Sequence, residues 1–197
     1  MLFEILHLEK MISDAHSLNI VLILDFLNTS VNLKKIPRQG WIDKLSIKNP
    51  ESVADHTFSM SIIGMVLSDL EGYNTEKILK MIILHDLAES IIGDITPEQK
   101  ERKEKFDLEN KTMQKILSSL PEIIKCHYET IWTEFQNFES QESKFVHDID
   151  KLEMVLQAKT YSKEIDSPEK ITSFINYAKE GIKDPNILKL FYEISSK

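Results

Sequence analysis

The sequence predicts an all-α, single-domain protein of about six to nine helices. Hydrophobic residues recur with the helical period along almost the whole chain, and no run alternates as a half-buried strand would. Five glycines and six prolines in 197 residues suit long helices joined by short turns. The length fits one domain, and no linker or internal repeat divides residues 1–197.

The first elements are a helix and a long loop. Residues 16–30 (HSLNIVLILDFLNTS) have the pattern of a largely buried helix. Residues 33–52 are predicted to be a loop, because Pro37, Gly40 and Pro50 punctuate them.

Capping residues mark the next two helices. Ser52 and Asp55 form an S-x-x-D signature ahead of an apolar helix over residues 53–70. After the break at Gly72, a helix that starts at Thr75 carries the stretch MIILHDLAESII.

Prolines divide the second half of the chain, because proline fits the first turn of a helix. The predicted helices run from Pro97 to about Leu120, from Pro121 to about Phe138 and from about Gln141 to Tyr161, and two shorter ones start at Pro168 and Pro185.

Composition excludes several classes of protein. A net charge of −8 argues against non-specific nucleic-acid binding, which needs a surplus of Lys and Arg. The apolar run NIVLILDFL is too short to span a bilayer and contains Asp25. The first ten residues carry Glu4 and Glu9 and do not resemble a signal peptide. With Cys126 as the single cysteine, a reducing cytoplasm is the expected location.

Ionisable residues interrupt the apolar helix that starts at Thr75. On a continuous helix His85, Asp86 and Glu89 fall within one quadrant, and Asp94 follows the turn at Gly93. Apolar residues expected to form one buried wall surround them: Ile82, Ile83, Leu84, Leu87, Ile91 and Ile92. Burial of such groups is costly unless they are paired, hydrogen-bonded or bound to a metal. The alternative is a core histidine satisfied by a neighbour, with both carboxylates on a solvated edge.

Two further segments carry candidate ligands. His56 opens the helix after the capping box, where a solvent-contacting histidine is the alternative. Asp148 and Asp150 interrupt the helix 141–161, and Asp150 lies next to its buried stripe. That stripe is predicted to comprise Phe145, Ile149, Leu152 and either Val155 or Leu156. For Asp148 the exposed face is an equally good prediction, and the pair His147-Asp148 is interpreted as a decoy.

Two histidines and two carboxylates from three helices predict a divalent-metal site. Such a donor set suits Mn²⁺, Co²⁺, Fe²⁺, Zn²⁺ or Mg²⁺, and because no cysteine belongs to it, a structural thiolate zinc site is not expected. Four protein ligands leave positions open for water and substrate, as in hydrolytic metal sites. A cation would also let a protein of charge −8 bind an anionic substrate.

The ordered set H…HD…D resembles the HD-domain metal phosphohydrolases. The surrounding stretches LKKIPRQGW, PESVADHTFSM, HDLAESIIGDITP and DKLEMVLQAKTY are similar to the small 5′-deoxynucleotidase family, in its eukaryotic and archaeal branch. The similarity covers about residues 33–161 and implies a single HD domain over the whole chain, with the terminal helices packed on it.

The resemblance implies hydrolysis of deoxyribonucleoside 5′-monophosphates to deoxynucleoside and phosphate. It assigns the divalent cation to His56, His85, Asp86 and Asp150. It makes Glu89 and Asp94 catalytic, or ligands of a second ion together with the Ile95 backbone. The division of roles between these two carboxylates stays open.

The resemblance also implies substrate-binding residues in the loop before His56. Bacterial members place an Arg-Trp pair there, in which Arg holds phosphate and Trp crowds a ribose 2′-hydroxyl. Here Gln39 and Gly40 separate Arg38 from Trp41. The phosphate role of Arg38 is retained, whereas Trp41 is equally well explained as an aromatic that anchors the loop.

The sequence leaves two alternative functions open and predicts a homodimer. An HD phosphodiesterase or nucleoside triphosphate hydrolase is an alternative enzyme, because the metal core alone does not distinguish phosphate esters. A helical regulatory domain with a vestigial metal site is the non-enzymatic alternative. A homodimer is expected, because residues 1–30 are richer in Leu, Ile and Phe than one helix needs and because the family resembles dimer formers. No nucleic-acid or membrane partner is expected.

Overall fold

The computed structural model describes residues 20 and 22–196, and this part of the chain is an all-α unit. Residues 22–31 are helical, and two 3-10 turns occupy Asn32–Lys35 and Pro168–Ile171. The other helices are α1 (Gln39–Leu45), α2 (Val53–Glu71), α3 (Thr75–His85), α4 (Glu89–Ile92), α5 (Arg102–Leu117), α6 (Glu122–Gln136), α7 (Gln141–Tyr161), α8 (Thr172–Gly181) and α9 (Pro185–Ser196). The predicted fold class is confirmed.

Serine caps fix the starts of the two longest helices. The Ser52 side chain accepts the Asp55 N–H while the Asp55 carboxylate accepts the Ser52 N–H, so the predicted capping box is present. Ser140 caps α7 in the same way through Ser143. Gly72 ends α2 at a φ of 75°, a left-handed conformation that favours glycine. Both helices lie where the sequence predicts them.

The core forms where α2, α3 and α7 pack together. The fully buried side chains of Met60, Ile82 and Ile149 come from these three helices. The predicted apolar face of α7 is confirmed by burial of Phe145, Ile149, Leu152 and Val155, while Leu156 is exposed. Each of the three central helices therefore has a fixed orientation, and each also carries a candidate ligand.

The prediction of a loop over residues 33–52 is wrong, because it contains helix α1. Trp41 and Leu45 are buried against Ala158, Tyr161 and Phe174 in a second, smaller core cluster. Tertiary packing thus stabilises a seven-residue helix that its own sequence would not favour.

The helix from Thr75 does not continue through Glu89. It ends at His85, and Asp86 has non-helical dihedrals (φ −111°, ψ 12°) before the short α4 begins. Ile83, within α3, and Ile91, within α4, are 54% and 50% exposed, so the prediction that they belong to a buried wall is wrong.

Pro97 does not start a helix that reaches Leu120. Residues 97–100 form a turn in which the Thr96 carbonyl accepts the N–H groups of Gln99 and Lys100, and α5 starts only at Arg102. The predicted helices from Pro121, Pro168 and Pro185 are present as α6, α8 with its preceding 3-10 turn, and α9.

Some predictions for the amino terminus lie outside the described residues. Residues 22–30 of the predicted helix 16–30 are helical, but its start, and the expectation about a signal peptide, fall on residues that are not described. Among the described helices, none combines the length and apolar character needed to cross a bilayer.

Candidate metal centre

Four of the predicted ligands converge from the three central helices. His56 lies in the first turn of α2, His85 ends α3 and is followed by Asp86, and Asp150 lies in the middle of α7. The His56 Nε2 atom is 3.3 Å from Asp150 Oδ1 and 3.9 Å from Asp86 Oδ2. The His85 Nε2 atom is 3.0 Å from Asp86 Oδ2. Ligand atoms of His56, His85 and Asp86 therefore surround one small volume, within 4.8 Å of one another, and Asp150 adjoins this group through His56.

Both imidazoles are oriented to offer Nε2 to that volume. The Nδ1–H of His56 donates to Glu153 Oε2 at 2.6 Å, and the Nδ1–H of His85 donates to the Ile82 carbonyl at 2.6 Å. Each Nε2 atom is buried and makes no hydrogen bond. A carboxylate or carbonyl on the far nitrogen, with a free lone pair on the near one, is how proteins present histidine to a metal.

The electrostatics of the cluster favour a cation. Burial and Arg38 lower the pKa of His56, but the nearby carboxylates of Asp150 and Glu153 outweigh both and raise it to about 9. Burial raises the pKa of Asp86, yet His85 and Arg38 hold it well below its usual range. The cluster thus stabilises positive charge at His56 Nε2, and the donor set fits a divalent ion.

A cavity of about 460 Å³ opens above the cluster. Asp86 and Asp150 line it, as does Arg38, whose guanidinium lies 3.5 Å from Asp86 Oδ2. Burial lowers the pKa of Arg38, but the surrounding carboxylates, of which Asp86 acts most strongly, produce a net increase. A fixed cation beside the candidate metal centre is suited to a phosphate.

Glu89 and Asp94 line the same cavity, together with Ile95. Glu89 is buried at the start of α4, and its Oε2 atom has no hydrogen-bond partner. Burial and the nearby Asp86 raise its pKa well above the usual value. Asp94 follows Gly93, whose φ is 78°, and its Oδ2 atom accepts the Gln39 N–H at 2.7 Å. The chain thus brings both carboxylates to the candidate centre.

Trp41 has clear anchoring contacts. Its Nε1–H donates to Glu51 Oε1 at 2.8 Å, and its ring packs on Tyr161 and Phe174 at centroid distances of 5.4 and 4.5 Å. Although Trp41 borders the cavity, it is almost completely buried. These contacts favour the anchoring role, and its contact with substrate stays a prediction.

The decoy pair His147-Asp148 has structural contacts. Asp148 is buried, and its Oδ2 atom accepts the N–H groups of Lys183 and Asp184 at 2.9 and 2.7 Å, ahead of α9. The exposed position considered for Asp148 is therefore wrong. His147 stacks between Phe135 and Phe138 at 4.2 and 3.8 Å.

His147 provides a prediction about stability and pH. Burial lowers its pKa to about 4 although its Nε2–H donates to the Phe135 carbonyl. Between pH ~6.5 and ~4 the unfolded chain binds a proton that the folded chain does not, so the free energy of unfolding should fall by about 1–3 kcal/mol as the pH falls through this window. Urea unfolding across this range should show a smaller decline in the free energy of unfolding for His147→Phe, which lacks the imidazole. Because both proteins share every carboxylate, the difference between their curves reports on His147 alone. Parallel curves for the two proteins would contradict this account.

Sequence reasoning missed Glu153 and Lys105. Glu153 lies three residues after Asp150, so both project from one face of α7, and this spacing was the available signal. Lys105 lines the cavity with its Nζ atom 3.6 Å from Glu89 Oε1. Its location could not be inferred, because the sequence does not show that α5 packs beside α4.

Glu153→Gln is expected to weaken metal binding by about 10- to 100-fold, the usual scale for a residue that orients a histidine ligand. The amide oxygen can still accept the His56 Nδ1–H, but the negative charge that makes the imidazole a more basic ligand is lost. Titration of the apoprotein with Mn²⁺ or Co²⁺ measures the change. An unaltered dissociation constant in a folded variant would show that Glu153 only fills space.

The fold and the cluster define a helical protein with a candidate His/Asp metal centre at the base of a cavity. The chain belongs to the HD-domain family, whose model matches residues 31–187. This match extends beyond the predicted motif region, into α8 and the start of α9.

Curated relatives confirm the resemblance stated from the motifs. The chain is 32% identical over 176 residues to human "5′-deoxynucleotidase HDDC2", covering 89% of this chain and 85% of the human one. It is 39% identical over 165 residues to "5′-deoxynucleotidase hdd1" of Schizosaccharomyces pombe, covering 81% of each chain.

Solved structures share the fold. A conserved hypothetical protein from Pyrococcus furiosus superposes with a TM-score of 0.73 at 28% identity, over 88% of this chain and 99% of that one. The PH0347 protein from Pyrococcus horikoshii OT3 also gives 0.73, at 30% identity, over 88% and 98% of the two chains.

Proposed function

We propose that this protein is a 5′-deoxynucleotidase that hydrolyses deoxyribonucleoside 5′-monophosphates with a divalent cation. The observation that carries the proposal is the pair of buried, unpartnered Nε2 atoms of His56 and His85, which face Asp86 and Asp150 below a cavity that Arg38 also lines. The names of the curated relatives support the same reaction. A cavity of about 460 Å³ is within the size range of small-molecule sites.

Each group has a distinct task in this reaction. His56, His85, Asp86 and Asp150 would hold the cation, which supplies positive charge for the phosphate and makes water more acidic. Arg38 pairs with phosphate oxygens through its planar guanidinium, a geometry that lysine does not reproduce. Glu89 and Asp94, which line the same cavity, would orient the attacking water or protonate the leaving 5′-oxygen.

A nucleotide panel tests the proposal. Phosphate release is measured with deoxy- and ribonucleotides, as mono- and triphosphates, across Mn²⁺, Co²⁺, Mg²⁺, Fe²⁺ and Zn²⁺, each with and without chelator. We expect chelator-sensitive release that is fastest from deoxynucleoside monophosphates. Preference for a triphosphate or a diester would replace the proposal with the alternative enzyme, and no turnover with any metal would favour the non-enzymatic domain.

We further propose that residues 1–197 form one HD domain in the cytoplasm and that two copies associate. The support for association is an apolar stripe on α2 that is exposed in the described part of the chain, formed by Phe58, Ile62, Met65, Val66 and Leu70. Contiguous exposed apolar surface of this kind often marks an interface.

Sedimentation velocity at micromolar concentration is expected to show a dimer, because burial of the α2 stripe removes apolar side chains from water. Phe58→Glu should shift the protein toward monomer, whereas Tyr192→Glu on α9 should not. A wild-type monomer at this concentration would contradict the expectation.

A further inference from the structure

The cavity above the metal centre has two chemically different ends. One end carries the carboxylates Asp86, Glu89 and Asp150 with the guanidinium of Arg38. At the other end, Met154 of α7 and the rings of Phe174 and Tyr177 of α8 supply apolar surface, with Lys44 and Ser173 beside them, and α8 lies beyond the region that carries the sequence motifs. A nucleoside monophosphate has the same division, with a dianionic phosphate at one end and a planar base at the other.

Helix α7 relates the two ends in space. Asp150 and Met154 lie one turn apart on α7, about 6 Å along its axis. One further turn on, Ala158 packs in the cluster that contains Phe174 of α8. The apolar end therefore lies beside the metal centre, displaced along α7 toward its carboxyl terminus.

Three side chains line the apolar end: Met154, Phe174 and Tyr177, here called the apolar wall. Phe174 is fixed by its contact with Trp41 and by Lys44, whose Nζ atom lies 5.4 Å from the ring centroid. Tyr177 borders the same cavity but is 63% exposed, so its ring contributes little to the core. Its placement on a cavity, without a packing role, indicates a ligand contact.

We propose that the apolar wall binds the base of the nucleotide and that Tyr177 is the residue on which the base stacks. The inference rests on the proposed function, because it takes the phosphate to lie at the opposite end. Stacking on an aromatic ring tolerates any base, since every base has a π face. The wall is thus expected to raise affinity for nucleotides without selecting one base.

The test compares two substrates that differ only in the base. A deoxynucleoside 5′-monophosphate and 2-deoxyribose 5-phosphate share the phosphate and the sugar carbons, but the second has no base. Tyr177→Ala should raise KM for the nucleotide by about 5- to 100-fold, the range that base–aromatic stacking covers, with little change in kcat. It should leave KM for 2-deoxyribose 5-phosphate unchanged, and Tyr177→Phe should retain the wild-type KM for both.

A second readout does not depend on turnover. Calorimetric titration with a deoxynucleoside, which lacks phosphate, should show weaker binding to Tyr177→Ala than to wild type. Tyr192→Ala is the matched control, because Tyr192 is 50% exposed on the neighbouring helix α9 and does not line the cavity. The exposure of Tyr177 makes misfolding of its variants unexpected, and thermal melting checks this.

Two results would overturn the inference. An unchanged nucleotide KM and unchanged deoxynucleoside binding in Tyr177→Ala would show that the ring does not contact the base. Equal increases in KM for both substrates would place Tyr177 near the phosphate or the sugar. If wild type hydrolyses neither substrate, the proposed function fails, while Tyr177-dependent deoxynucleoside binding would still support the base site.

Discussion

Asp150→Ala is expected to release the divalent cation and to lower phosphate release by on the order of 10³-fold or more, because a catalytic metal contributes several kcal/mol and each 1.36 kcal/mol is a factor of ten. Asp150 Oδ1 lies nearer to His56 Nε2 than Asp86 Oδ2 does, and the Asp150 side chain is 36% exposed at the cavity. Its removal therefore opens the site without a large cavity in the core. Metal analysis of the purified variant, beside its turnover, measures both effects, and His56→Ala and Asp86→Ala should behave alike.

Asp148→Asn is the matched control on the same helix. Its carboxylate accepts two backbone N–H groups ahead of α9 and has no place in the cavity lining. The substitution should cost about 1–2 kcal/mol of stability, as expected for weakened hydrogen bonds to a charged acceptor, and should leave the metal content unchanged. A folded Asp150→Ala protein with full metal and full turnover would refute the assignment of the centre.

Glu89→Gln is expected to lower turnover by about 10²-fold while the first ion stays bound, because its four ligands remain and because a positioned acid or base contributes on this scale. The buried glutamine nearly preserves the volume of Glu89, so packing should change little. Asp94→Asn should act in the same direction.

Metal stoichiometry separates the two roles that remain open for these carboxylates. If Glu89 and Asp94 bind a second ion, Glu89→Gln should contain one ion where wild type contains two, and excess metal should partly restore the rate. If they act on water or on the leaving group, stoichiometry should not change. Wild-type rates in both variants would show that neither carboxylate takes part.

The sequence correctly predicts those helices for which the local capping signals and the tertiary packing agree. Helix α7 has its predicted boundaries because Ser140 caps it and its apolar residues follow the helical period. A serine cap and an apolar pattern likewise predicted the position of α2. The ordered residues His56, His85, Asp86 and Asp150 could be selected because ionisable groups on apolar helices need a compensating partner.

Other features depend on contacts between segments distant in sequence. Helix α1 forms because Trp41 packs on Phe174, more than a hundred residues away. The prolines and the glycine of this segment predict a loop and give no information about that contact. The end of α3 at His85 has no glycine or proline to mark it. His85, Asp86 and Glu89 do not share one continuous helix, because α3 ends at His85, and Asp86 and Glu89 reach the cavity through the turn and the short α4 that follow.

The capping box of Ser52 and Asp55 has a consequence for the affinity of the metal centre. Helix ends open locally more easily than helix interiors, and His56 lies in the first turn of α2. A cap worth about 1 kcal/mol lowers the population of the frayed first turn about fivefold. Because a ligand in a frayed turn cannot bind, apparent affinity scales with the closed fraction of that turn. The side chains of Ser52 and Asp55, which are not candidate ligands, would thus set the fraction of molecules in which His56 is available to bind the metal.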